Sequence, residues 1–564
     1  MPPRTSGPPK CEVRAVWLTT TSSLDWPRTT DKKEQQSSLR EIVRVLRETG
    51  FNTIFFQARA RGDAYYRSSL EPWADNLTGT LGKDPGWDPL AFLVEEAHAA
   101  GMEIHAWVNV FKVRSAPTLP QSTPPHVSRL HPEWTVGYRG EGWLDPGLPA
   151  ARAFLLSVFT DLAAHYDIDG INFDYMRYPG RDFNDSTTFR KYGAGKGRDA
   201  WRKANLDSFV AECYDKLTAV RPGLKIGSSP LGVYTSDDDP SAGAVFNYYQ
   251  DAPAWLRSGK MDYVAPQLYW SIGTKKGDPD FAELVRGWQQ RSAGRHVYAG
   301  IGAFRPEVSR ELQAQIDTAR AASTAGESFF RYENIRNASL LGNRYTALAL
   351  TPAMPWKDRT PPQQPPMVAV SELNTNVFQI EWLLARDTFT GEPPARFVLY
   401  RWTTSAIPFS DPHSILSEVP AFRRVYYDTV KAPTSATYFY AVSAVDRAGN
   451  ESSPSPVSGE TAREFLAIKG KLSEPTALSA ILPLGGGTPR FVAYSLAAAS
   501  QVSLDLIARP PGGADSLVTL LVSTTQERGT YVVGMGELSL SAGRYLVRLR
   551  TADGVLEQSF DLPP

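Results

Sequence analysis

Residues 166–179 read YDIDGINFDYMRYP. Asp167 and Asp169 sit in a polar turn, and the stretch 170–178 that follows reads as a β-strand. Successive side chains of a strand point to opposite faces, so residues 170, 172 and 174 share one side. The strand opens on Gly170 and Ile171, small and apolar, yet Asn172 and Asp174 stand on the inward face, where apolar filling is the norm. A strand that begins in a core and ends in an acid fits a (β/α)8 barrel, whose chemistry stands at the C-terminal ends of its strands. Helix-period segments flank it at 151–166 and 201–220.

The same alternation runs through the first 350 or so residues. Strands are expected over 13–20, 53–60, 103–111, 170–178, 225–233, 263–270, 297–304 and 328–335. Helices are expected over 38–50, 88–101, 151–166, 201–220, 280–290 and 308–322, several stopped by Gly or a Pro turn. Eight strands with interposed helices imply an α/β fold of the TIM-barrel type. A doubly wound open sheet is the alternative, but neither GxGxxG nor GxxxxGK[ST] occurs.

Twelve of the 14 tryptophans precede Pro361. The run DRTPPQQPPM (358–367) reads as a linker. Beyond it, short alternating strands such as FQIEWLL and ARFVLYRWTT imply all-β sandwiches. The expected organisation is an N-terminal extension (1–11), the barrel (12–357), the linker (358–367), one sandwich (368–462) and a smaller one (463–564).

Composition limits function. Lys plus Arg and Asp plus Glu are both 60 in 564 residues, so no net charge draws the chain to nucleic acid or anionic membrane. No apolar run of about 18 residues is present, so no transmembrane segment is expected. Two cysteines, Cys11 and Cys213, and seven histidines with no CxxC argue against a zinc site; no metal or other cofactor is expected. Whether the cysteines pair, and the oligomeric state, stay open. The polar, Pro-rich start is read as an ordered beginning after a removed leader, which would make the protein exported.

The strand ends supply the site candidates: Gln57 and Arg59, Trp107 and Asn109, Asn172, Asp174 and Arg177, then Gln267, Tyr269 and Trp270, with Trp143 in the loop after the third strand. No GxSxG elbow or HExxH pair occurs among them. Aromatic faces with Arg, Asn and Gln suit a sugar. Asp174 is then the carboxylate that attacks or stabilises an oxocarbenium-like centre, the alternative being a strand-end acid holding Arg177. Arg59 and Arg177 are candidates for an acidic sugar or for ion pairs. His105 reads as a core histidine and Glu103 as surface.

These motifs resemble a known family. VRAVWLTT with LDWP, FQARARGDAYYRSSLEPW, HAWVNVF, WLDPGLPAAR, YDIDGINFDYMRYP and DYVAPQLYW follow one another as in the glycosyl hydrolase-like 10 family, over residues 12–356. The resemblance implies a glycoside hydrolase of the bacterial envelope, acting on peptidoglycan glycan strands that lack stem peptides. The family's fourth-strand pattern, DGIHFDDYFYP, here reads DGINFDYMRYP: Asp174 keeps the first acid, Tyr175 replaces the second and Asn172 replaces His. The stretch is also similar to the DGxDxDxE of family 18 chitinases, but Met176 stands where their Glu would be. Residues 438–455 resemble the last strands of a fibronectin type III domain.

The partner acid is therefore the open question. Glu333 after the eighth strand, Glu71, Asp63 and Glu141 are candidates, or a substrate N-acetyl group assists; Glu333 is carried forward as the catalytic partner of Asp174. The competing readings are a non-catalytic glycan-binding barrel protein of the envelope and an adhesion or scaffold protein.

Overall fold

Eight strands close into one parallel barrel: β1 (Val13–Leu18), β2 (Thr53–Arg59), β3 (Glu103–Asn109), β4 (Gly170–Asp174), β5 (Lys225–Ser228), β6 (Tyr263–Val264), β7 (His296–Ile301) and β8 (Gly326–Phe329). Going round, the order is β1-β8-β7-β6-β5-β4-β3-β2. The computed structural model describes residues 7–114, 119–234, 243–273, 278–365, 368–374, 377–382, 385–387, 391, 393–403, 408–430, 438–455, 477–481, 491–496, 500–510, 513–526, 529–534 and 540–562. The expectations for residues 1–6, for the end of the Pro-rich linker (366–367) and for a domain boundary near 462 lie outside the described residues.

Several connecting helices start on an aspartate cap. In α1 (Lys32–Glu48) Asp31 accepts from the Glu34 N–H at 2.9 Å, and in α2 (Pro89–Ala99) Asp88 accepts from Ala91 at 3.0 Å with Pro89 in the first turn. Each cap satisfies an N–H that the helix cannot. Leu39, Ile42, Val43 and Leu46 of α1 fall on one stripe and are buried against the strands. α3 (Pro149–His165) and α4 (Arg198–Val220) bracket β4.

Inside the barrel is a second core, made of aromatics. Trp17, Phe55, Trp107, Tyr263 and Tyr298 fill it. Such rings need gaps opposite them. A Cβ on Gly227 would lie 2.2 Å from the Tyr263 ring, and one on Gly170 would lie 2.5 Å from His105, so neither position tolerates a side chain without moving a packed ring. The His105 ring shares a 2.7 Å hydrogen bond with the Tyr263 hydroxyl, and the imidazole is thereby satisfied within the core.

The N-terminal face of the barrel is closed, which overturns the expectation that Glu103 is a surface residue. Residues 347–351 return to this face, where Leu350 bridges Cys11 and Ala349 accepts from Asn52. Glu103 is buried there, bonded by Lys225 at 2.7 and 2.8 Å and by Thr351 at 2.6 Å. A carboxylate with this many charge-assisted donors is tolerated inside.

Two strands end differently from the sequence reading. The fourth was expected to continue to residue 178 and stops at Asp174, because Tyr175 adopts a φ of +53°. The eighth was expected over 328–335 and lies two residues earlier; Tyr332–Ile335 form a helical turn instead. After β3 the chain adds a small antiparallel sheet from Lys112–Val113, Glu141–Leu144 and Thr135–Tyr138, in which Lys112 stands opposite Trp143.

The chain forms two compact units. One comprises Met1–Thr360 with Phe409–Pro420 and Asp446–Asn450; the other holds the rest. The second unit contains antiparallel sheets. β9 (Val368–Asn374), β10 (Val377–Trp382) and β12 (Val425–Thr429) make one, and β11 (Arg396–Trp402) pairs with β13 (Phe439–Val445). Toward the C-terminus, β16 (Ser500–Ala508), β17 (Ser516–Gln526), β19 (Gly543–Thr551) and β20 (Gly554–Leu562) form a four-stranded sheet around Leu504, Leu506, Val547 and Leu549. The strands β14 (Ala477–Ile481), β15 (Phe491–Leu496) and β18 (Gly529–Gly534) form another.

Candidate active site

The C-terminal ends of the barrel strands open into a cavity of about 230 Å³. Its wall draws on Trp17 of β1, Gln57 of β2, Trp107 and Asn109 of β3 and Asp174 of β4, and on Ser229, Gln267, Tyr269 and Phe330 just past β5, β6 and β8. Trp17 and Trp107 meet edge to face at 5.0 Å, and both are buried. Seven of the residues expected in the site line this cavity: Gln57, Trp107, Asn109, Asp174, Arg177, Gln267 and Tyr269.

Asp174 is the last residue of β4 and only 7% exposed. Its carbonyl accepts from Val110 at 2.8 Å, which holds the strand end, and its Oδ1 accepts from the Tyr175 N–H at 2.7 Å. Burial raises the carboxyl above its ordinary value. The charge of Arg177, the Tyr175 N–H, the Trp107 indole and Lys112 oppose the rise without cancelling it. Among the described residues Asp174 is the only carboxylate on the cavity wall.

The other polar groups are preset for a ligand rich in hydroxyls. Gln57 Oε1 accepts from the Thr20 and Thr21 N–H groups at 3.0 and 2.8 Å, so its amide nitrogen is the end left for the cavity. Asn109 donates to the Ala60 carbonyl at 2.6 Å, while its buried Oδ1 and the buried Ser229 Oγ have no partner among the described residues. Burial and the nearby Asp174 push the Tyr269 hydroxyl well above its usual range, so it stays a donor. Phe304 and Phe330 pack on the Tyr269 ring at 5.5 and 5.8 Å. Aromatic walls with fixed donors and acceptors are the chemistry of a sugar site.

Five expected site residues lie elsewhere. Arg59 was read as a substrate contact. A bulge between Gln57 and Arg59 pairs Arg59 with Val108 rather than with Asn109, which turns it off the inward parity. Its guanidinium is fully buried on both oxygens of Glu71 and on the Val110 carbonyl. Asn172 is also fully buried, donating to the Tyr263 hydroxyl at 3.3 Å below the cavity. Trp143 is buried and does not line the cavity; it packs edge-on against Tyr175 at 5.6 Å. Trp270 is half-buried outside the cavity, with Arg305 over its ring at 6.0 Å. Glu333 does not line the cavity, and its carboxylate is held by Arg28 at 2.8 Å and by Arg336 at 3.4 Å.

The remaining acids considered as partners are also engaged. Glu71 holds Arg59, Asp63 holds Arg114 at 2.8 Å, and Glu141 holds Lys112 at 2.6 Å.

The model of the glycosyl hydrolase-like 10 family matches residues 12–316, the stretch that builds β1 to β7 and most of this cavity. The chain belongs to this family. It is 34% identical over 405 residues to the glycosyl hydrolase YngK of Bacillus subtilis, covering 66% of this chain and 79% of that one. It is 32% identical over 336 residues to the glycosyl hydrolase DigH of Escherichia coli K12, covering 54% and 76%. A solved glycoside hydrolase domain of PgaB (BpsB) from Bordetella bronchiseptica aligns at 16% identity and a TM-score of 0.42, over 58% of this chain and 98% of that one. Family membership makes the chain a glycosidase.

In this glycosyl hydrolase-like 10 barrel, the sequence reading missed several cavity residues. Arg61 and Lys112 follow β2 and β3 by two and three residues, beyond the point where strand-end reading stops. Phe330 keeps the inward parity of 326 and 328, which a strand placed two residues late concealed. Tyr175 had a signal: it stands where the family pattern carries a second acid.

Proposed function

We propose that the protein cleaves glycosidic bonds in a bacterial envelope polysaccharide, with peptidoglycan glycan strands lacking stem peptides as substrate. The carrying observation is Asp174, a buried carboxyl with a raised pKa on the wall of an aromatic cavity whose other charged groups are cations. In this reading the ionised Asp174 carboxylate stabilises or attacks the oxocarbenium-like centre as the glycosidic C–O bond breaks, a second acid not yet assigned protonates the leaving oxygen, and water adds to the anomeric carbon. Gln57, Asn109, Gln267 and Tyr269 hold hydroxyl and amide groups, and Tyr175 with Trp107 offers apolar surface. The polymer lies outside the cytoplasm, so the protein would act as an exported enzyme. The C-terminal sheets, one segment of which resembles a fibronectin type III domain, would hold the polymer or space the barrel from it.

The test is product analysis on peptide-free peptidoglycan glycan, with chitin and α-glucans alongside. New reducing ends from the naked glycan, absent with Asp174→Asn, are expected. Activity of the variant within about tenfold of wild type removes Asp174 from the chemistry. Cleavage confined to chitin or α-glucan removes the substrate.

A further inference from the structure

We propose that Arg177 reads a free carboxylate on a sugar of the bound glycan, so that the enzyme separates an acid-bearing chain from the same chain with its acid capped as an amide. This rests on the glycan-cleaving reading above and names what that site selects.

Three cations, Arg61, Lys112 and Arg177, line the cavity beside Asp174. A neutral polysaccharide gives no reason for that excess. Lys112 is neutralised by Glu141 at 2.6 Å. Arg177 is not: among the described residues no carboxylate lies within 4.0 Å of its guanidinium, Asp174 included. It sits instead against two aromatic rings. Its central carbon lies 4.9 Å from the Tyr175 ring centre and 5.2 Å from that of Tyr248. The Tyr178 N–H donates to the Tyr248 carbonyl at 3.2 Å and ties the loop after β4 to the one after β5, which keeps the two rings at their spacing.

A guanidinium has two faces and an edge. Here two tyrosine rings hold the group, and its N–H donors are what it can offer a ligand on the cavity wall. The edge carries parallel N–H donors spaced to match the two oxygens of a carboxylate. A half-buried guanidinium with no carboxylate in ion-pair contact has lost part of its hydration, and a ligand anion restores the balance. The adjacent Tyr175 ring lies in the same wall, so the anion would be carried by a sugar close to Asp174. A lactyl ether acid fits when it is free. The same group joined to a peptide is an amide with neither the charge nor the second oxygen. A uronic acid presents the same carboxylate chemistry from another source.

The full-length chain is assayed as wild type, Arg177→Gln and Arg177→Lys. The substrates are peptide-free peptidoglycan oligomers, the same oligomers with carboxylates capped as methylamides, chitin oligomers and hyaluronan oligomers. Wild type is expected to prefer the acid over the capped form by at least about tenfold in kcat/KM. Arg177→Gln should bring the ratio close to one, mainly through KM, and Arg177→Lys should fall between. Cleavage of hyaluronan oligomers would keep the carboxylate contact and move its source to a uronate. An equal rate on acid and capped oligomers, or a preference that survives Arg177→Gln, overturns the proposal. Where wild type cleaves none of the four, the hydrolase reading fails separately. Titration calorimetry then decides this one: tighter binding of the acid oligomer supports it, and equal binding overturns it.

Discussion

Tyr175 donates its backbone N–H to Oδ1 of Asp174 across 2.7 Å from a φ of +53°, a left-handed conformation that a bulky residue adopts at a cost of about 1 kcal/mol. The turn does two things together. It ends β4 with its carboxyl pinned, and it swings the Tyr175 ring into the cavity wall, where Trp143 backs it and Arg177 covers it. The strain thus sits at the residue that sets both the acid and the platform beside it.

Asp174→Asn is expected to lose activity by about a thousandfold, within the range for a positioned proton-transfer or charge-bearing group, and to remain folded. Its stability should rise at neutral pH. The folded-state pKa of Asp174 lies above its unfolded value. The folded chain therefore holds the proton longer, and stability falls as pH climbs from the unfolded value through the folded one. Above that window the ionised carboxylate costs stability that an amide does not. Calorimetry at pH 4 and pH 7 checks this: the variant's advantage should be larger at pH 7.

Arg177→Gln should move the titration of Asp174 further up. Burial raises that pKa and the Arg177 charge is the largest opposing influence, so removing the charge leaves burial less opposed. The limb of the kcat/KM profile that belongs to Asp174 would shift to higher pH. A limb that stays in place or moves down would place Arg177 too far from the carboxyl to act on it.

Arg59 belongs to the architecture. Arg59→Met leaves Glu71 buried without its counterion, and breaking such a pair costs about 3–5 kcal/mol. The double change Arg59→Met with Glu71→Leu should recover much of that loss. Chemical denaturation measures both. A folded Arg59→Met chain with unaltered stability but a raised KM would return Arg59 to the substrate.

Glu333→Gln should keep activity within a few-fold and cost at most about 1 kcal/mol. Its carboxylate is 30% exposed, outside the cavity, and in surface ion pairs that contribute little. Loss of activity comparable to Asp174→Asn would restore it as the partner acid.

The barrel was legible because apolar runs of strand length alternate with helix-period segments, several of them stopped by Gly or a Pro turn. Asp174 was legible because parity put it inward at a strand end. Parity failed at Arg59 because a one-residue bulge reverses it, and nothing in QARAR announces a bulge. Trp143, read as a loop aromatic free to stack, was misplaced because the loop after β3 folds into a sheet of its own, which buries the indole behind Tyr175. Burial of loop aromatics depends on tertiary contacts that local sequence does not encode. Glu103 was misread because the cover over the barrel's N-terminal face comes from Thr351, about 250 residues away in the chain.

Trp143 supplies the last test, because its position separates a platform from a support. The ring is 3% exposed, meets Tyr175 edge-on at 5.6 Å and stands opposite Lys112 in the small sheet. If the sugar stacks on Tyr175 and Trp143 only holds that ring, the two residues act as one unit. Tyr175→Ala should raise KM, and Trp143→Phe should raise it less, since a smaller ring still packs. Trp143→Ala should cost about 3–5 kcal/mol of stability as well, from the cavity it leaves. The double variant Trp143→Phe with Tyr175→Ala should then be no worse in KM than Tyr175→Ala alone, because the support has nothing left to hold. Residues in contact show this kind of non-additivity, whereas independent contacts add. Additive losses in KM would mean that Trp143 meets the sugar itself, and that the cavity opens wider when the glycan binds.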